Sequence, residues 1–237
     1  MANKRAREEV AVSRFDAVDL EQFSLKDRGE NAKGDRAVPQ VAGEPVSFNL
    51  TPSGWLKSLY GFDLDCKYNR PSFLCQEETS TEEDKKKKPN VEGLYLRVHL
   101  EQKEAEFLQR LDAKCKIAYT GLVKDCSKWS DLVALGNMMC PCSVRIFVPL
   151  KANSNTADLT EIAVVTNNTV ARGEGWDFLE PYHRNFRNAD VKLTVRIKRV
   201  WHLDGGAGLT LEATQLALRV QERPRQAVAF TDEDLLA

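Results

Sequence analysis

Between Asp190 and Gln221 the chain reads DVKLTVRIKRVWHLDGGAGLTLEATQLALRVQ, and its apolar residues recur at every second position. Val191, Leu193, Val195 and Ile197 fall on one face of a period-two ribbon, while Lys192, Thr194, Arg196 and Lys198 fall on the other. The Asp204-Gly205 dipeptide is a common reversal signal, so the segment predicts two strands joined by a Gly-rich turn. A strand with one apolar and one cationic face fits a polyanion partner. By the same parity Trp201 belongs with Val191 and Ile197, which points it at the core unless a bulge intervenes.

Alternation recurs elsewhere. PVSFNL, LKSLYGFDLDCKY, GLYLRVHL, SVRIFVPL and DLTEIAVVT all read as strands, the last two as a hairpin about a polar turn at Asn153 to Thr156. EQKEAEFLQRLDAKCKIAY places Phe107, Leu108 and Leu111 at helical spacing behind a carboxylate-rich first turn. KWSDLVALGN predicts a second, shorter helix, with Ser130 as N-cap and Gly136 near its end. Thr166 to Ala189 reads as a long connection. The pattern as a whole predicts a mainly β fold with one or two helices, an elaborated OB-like Greek-key barrel.

Polar stretches divide the chain. Residues 1–43 read as a flexible charged leader, 44–226 as the barrel, and 227–237 as a short acidic tail. Gln76 to Asn90 holds no apolar residue and runs from an acidic block into Lys85 to Lys88, which reads as a solvated insertion loop.

With 237 residues, 42% of them apolar, the chain can bury a sizeable core, and a net charge of −1 makes it no global polycation. An anion-binding surface therefore has to come from local segregation of charge. No run of 18 apolar residues and no signal-peptide core is present, so a soluble intracellular protein with no membrane partner is expected. Six dispersed cysteines read as reduced thiols, because only Cys140 and Cys142 are closely spaced and no second pair completes a zinc site. HExxH, Gly-x-Ser-x-Gly and a phosphate-cradling Gly loop are all missing, and no cofactor, metal or catalytic residue is expected.

The basic ribbon is the leading site. Lys192, Arg196 and Lys198, helped by Arg172, Arg184 and Arg187, are the expected phosphate contacts, and Trp176, Phe178, Tyr182 and Phe186 the expected base-stacking groups. Each aromatic has a second reading as a plug of the barrel end. In the tail, Phe230, Asp232, Glu233 and Asp234 form an acidic, mildly hydrophobic element that fits either the cationic groove or a replication partner.

The C-terminal third resembles the replicative single-stranded DNA-binding proteins of lytic tailed phages and some large DNA viruses. Lys192-Leu193-x-Val195 leading to Trp201, the Gly205 to Gly208 turn, Leu209-x-Leu211 with Gln215-Leu216, and the upstream Ile162 to Asn167 carry the likeness. It implies an OB barrel that coats single-stranded DNA in replication and recombination without catalysis. The tail departs from the family by holding few acidic residues and no terminal aromatic. A viral structural or scaffold protein that uses its barrel for assembly is the alternative, and an enzyme the third reading.

Overall fold

One long hairpin organises the molecule because its inward residues are apolar almost without interruption. A computed structural model describes residues 12–27, 35–58, 93–122, 128–136, 142–151, 159–167, 169–185, 189–203 and 206–220. In chain order the strands are β1 (Ser13–Arg14), β2 (Phe23–Asp27), β3 (Asp35–Val41), β4 (Glu44–Pro45), β5 (Ser47–Asn49), β6 (Leu56–Ser58) and β7 (Gly93–His99). After helix α1 (Gln102–Leu122) come β8 (Lys128–Ser130), β9 (Val133–Ala134), β10 (Ser143–Pro149), β11 (Glu161–Thr166) and β12 (Thr169–Glu174). Helix α2 (Gly175–Leu179) and a 3-10 segment (Glu180–Asn185) precede β13 (Ala189–Leu203) and β14 (Gly206–Arg219).

β13 and β14 pair antiparallel over nearly their whole length and form the spine. Shorter strands are relayed along each edge. β3, β5 and β6 pair antiparallel with successive parts of β13, while β8, β10 and β11 pair parallel with successive parts of β14. β7 joins β10 antiparallel. The sheet rolls until β6, on the β13 side, touches β7 on the other flank. The class is thus mainly β, as expected: among the described residues, a mixed, rolled sheet with two helices.

The inward parity of β7, β10, β13 and β14 is dry. Leu94, Leu96, Val98, Val144, Ile146, Val148, Val191, Leu193, Val195, Ile197, Leu211, Leu216 and Leu218 are all buried. Helix α1 closes one side by burying Phe107, Leu108, Leu111, Cys115 and Tyr119 against them, with Phe107 edge-on to Phe48 at 5.2 Å. Burial pushes the Cys115 thiol far above its ordinary value, so it behaves as a small apolar side chain.

Four expectations are corrected. The described part of the segment read as a flexible leader enters the sheet, because β2 pairs with β3 and β3 pairs with β13 at Ala37 and Val200. KWSDLVALGN is not a helix: its two halves are captured as edge strands by β14 and β10, and the Asp112 carboxylate of α1 accepts hydrogen bonds from Trp129 Nε1 and Leu132 N, both at 3.1 Å. β10 and β11 do not form a hairpin with each other. They lie end to end along β14, and β11 instead reverses into β12, which with α2 occupies what read as a long connection. The insertion 76–90, the Asp204-Gly205 turn and the tail 227–237 lie outside the described residues.

Candidate nucleic-acid interface

Alternation that buries one parity of β7 and β10 necessarily exposes the other. On β7 the outward residues are Tyr95, Arg97 and His99, and on β10 they are Ser143, Arg145 and Phe147. The antiparallel register sets Arg97 directly across from Arg145 and Phe147 across from Tyr95, whose rings are 5.3 Å apart. Gly93 makes room for this arrangement, since a Cβ there would collide with the Phe147 ring.

Trp201 completes the face. β13 shifts register between Thr194 and Val195 and again between Ile197 and Arg199, and the second bulge inverts the parity that follows. Val200 therefore turns inward and is fully buried, while Trp201 is only half-buried. The indole lies close over β14, where a Cβ on Gly208 would stand 2.9 Å from Trp201 Cζ2 and 3.1 Å from the Ser130 carbonyl. Trp201, Tyr95, Arg97, Arg145, Asp131 and Thr210 line an open cleft of about 670 Å³. Arg97, Arg145 and Asp131 are the charged side chains among these walls.

Arg196 and Lys198 have a different duty from the one their alternation implied. Both reach across to Glu212 of β14, which is 1% exposed: Arg196 Nε donates to its Oε1 at 2.9 Å, and Lys198 Nζ binds Oε2. A carboxylate removed from water needs such partners. Lys198 is the residue bulged out of register, and its ammonium also sits 5.4 Å from the Phe147 ring centroid.

The other expected contacts are scattered. Lys192 is exposed at the far end of β13, 5.1 Å from the centroid of Trp55. Arg172 lies exposed on β12, 4.0 Å from Glu161. Trp176 belongs to the core at 8% exposure, which corrects its assignment as a stacking group. Phe178 and Tyr182 are half-buried against that core, 5.9 Å apart, with Phe178 lying on Gly173. Arg184 falls in the 3-10 segment without a described side chain, and Phe186, Arg187, Phe230, Asp232, Glu233 and Asp234 lie outside the described residues.

The sequence reading passed over Tyr95, Arg97, Arg145 and Phe147. The signal was present: GLYLRVHL and SVRIFVPL each carry an aromatic and an arginine on the parity opposite their Leu, Ile and Val residues.

No protein-family model matches the chain, and no curated protein matches it. Among solved structures it is similar to the single-stranded DNA-binding protein from bacteriophage Enc34, with 8% identity, 90% of this chain and 99% of that one covered, and a TM-score of 0.42. A C-terminal truncation of that protein gives 8% identity, coverage of 83% and 95%, and a TM-score of 0.41. Its complex with single-stranded DNA gives 8% identity, coverage of 86% and 99%, and a TM-score of 0.37. A likeness this loose assigns no function to the chain.

Proposed function

We propose that this protein binds single-stranded DNA without sequence preference, on the outward face of β7, β10, β14 and the end of β13. The observation that carries this reading is the pairing of three half-buried aromatic groups, Tyr95, Phe147 and Trp201, with the facing arginines Arg97 and Arg145. Aromatic faces stack any base, and guanidinium groups follow the phosphates between them. Nothing in such a face reads base edges, so the binding is tolerant of sequence.

Binding is stoichiometric and non-catalytic. The role is to coat and protect single strands in replication and recombination, in a soluble protein of the cell interior or of an infected host cell. Partner recruitment through Phe230, Asp232, Glu233 and Asp234 belongs to the same reading. Among the described residues no helix is long and apolar enough to cross a membrane, and no group of three or more His, Cys, Asp or Glu side chains is arranged to hold a metal ion.

The test is a gel-shift comparison of single-stranded DNA, duplex DNA and RNA at two salt concentrations. Tight, salt-weakened binding of single strands is the expected result. Equal affinity for duplex, or no affinity at low salt, contradicts it and favours an assembly role for the barrel.

A further inference from the structure

The outward face of the spine does not stop at the cleft. At its other end Thr51, just after β5, accepts a hydrogen bond from Leu193 N through its hydroxyl at 3.0 Å, and Leu50 N donates to the Leu193 carbonyl at 3.0 Å. These bonds carry the pairing from β5 across to β6 and hold the intervening turn beside β13. Trp55, at the end of that turn, is half-buried and lies next to two cations: Lys192 Nζ is 5.1 Å and the Arg219 guanidinium 4.2 Å from its ring centroid.

Lys57 and Arg219 flank Asp190, the first by an ion pair and the second at 3.9 Å. Among the described residues Lys57, Lys192 and Arg219 gather with Asp190 around this indole, an excess of two positive charges. An exposed cation over an indole face is worth only about 0.5–1 kcal/mol. A base therefore displaces it readily, and the displaced cation is then placed to meet the adjoining phosphate.

We infer that Trp55, Lys192 and Arg219 form a second base-stacking platform, and that one nucleic-acid strand runs along the outward face of β13 from Trp201 to Trp55. This rests on the reading of the cleft as a single-strand site. Lys192 and Trp201 are nine positions apart, roughly 30 Å at the usual strand rise less what the bulges take up. Between them Arg196 and Lys198, shared by Glu212, keep the path from turning acidic.

Oligonucleotide length separates the two platforms. Fluorescence anisotropy would compare oligo(dT) of about 6 nucleotides, within reach of the cleft alone, with one of about 20, which spans both. Trp55→Ala, and separately the surface pair Lys192→Gln with Arg219→Gln, should weaken the longer oligonucleotide roughly tenfold and the short one less than about twofold. The double glutamine variant removes no buried group, so its result stands even if Trp55→Ala fails to fold. Equal losses on both lengths, or none on either, overturn the second platform while leaving the cleft intact. Failure of the unmodified protein to bind either length overturns the cleft reading and this inference with it.

Discussion

Trp201 and Arg196 show how far side-chain alternation reaches. Alternation correctly placed Arg196 on the outward face, yet it is silent about what lies across the strand, and Glu212 sits sixteen residues away in sequence. The structural role predicts a stability effect. Arg196→Met should destabilise the fold by about 2 kcal/mol in chemical denaturation, below the roughly 3–5 of a fully broken buried pair because Lys198 still faces Glu212. Its effect on DNA affinity should be small. Trp201→Ala and Tyr95→Ala should do the reverse, each costing about 1–3 kcal/mol of oligo(dT) affinity by anisotropy, the contribution of one stacked base, while leaving the inward core of β7 and β13 intact. An affinity unchanged in both variants would remove the aromatic groups from the site.

Elements fail to be legible where their neighbours decide them. KWSDLVALGN has an N-cap, a carboxylate and apolar spacing suited to a helix, but unpaired edges of β14 and β10 and the carboxylate of Asp112 draw it into two short strands. The bulge at Lys198 is equally invisible in a string of Val, Arg, Ile and Lys, and it alone turns Trp201 from the core to the cleft. Gly208 is the matching concession on β14. Gly208→Ala should push the indole off the strand, shifting Trp201 emission and weakening oligonucleotide binding, and unchanged emission would place the ring elsewhere.

Asp112 ties α1 to β8 and β9 at an electrostatic cost. Burial pushes its carboxyl above the ordinary value of 3.8, against hydrogen bonds from Leu132 and Trp129 that lower it. The native chain therefore holds this proton more tightly than the unfolded one. Its contribution is most favourable below the unfolded value and is lost as pH rises through the raised native value. Relative to Asp112→Asn, the denaturation midpoint of the natural chain should fall as pH rises from the ordinary value of 3.8 through the raised native one. Parallel profiles would show that Asp112 does not titrate differently in the two states.

At the scale of the whole molecule, the mainly β class, helix α1 and the β13–β14 hairpin were legible because each rests on a long, regular period. The course of the sheet was not, since pairing β10 and β11 to one strand and drawing β1, β2 and β3 into the sheet are long-range choices that no local pattern records. Those choices bring Arg97 and Arg145 together, and the face they make holds the central claim. The most direct test is the salt dependence of oligo(dT) affinity in the natural protein and in the variant carrying Arg97→Ala with Arg145→Ala. Log affinity should fall linearly with log salt at about −0.7 per phosphate contact, and the double variant should be shallower by about 1.4. Salt-insensitive or undetectable binding, or a slope that the double variant leaves unchanged, would contradict the account.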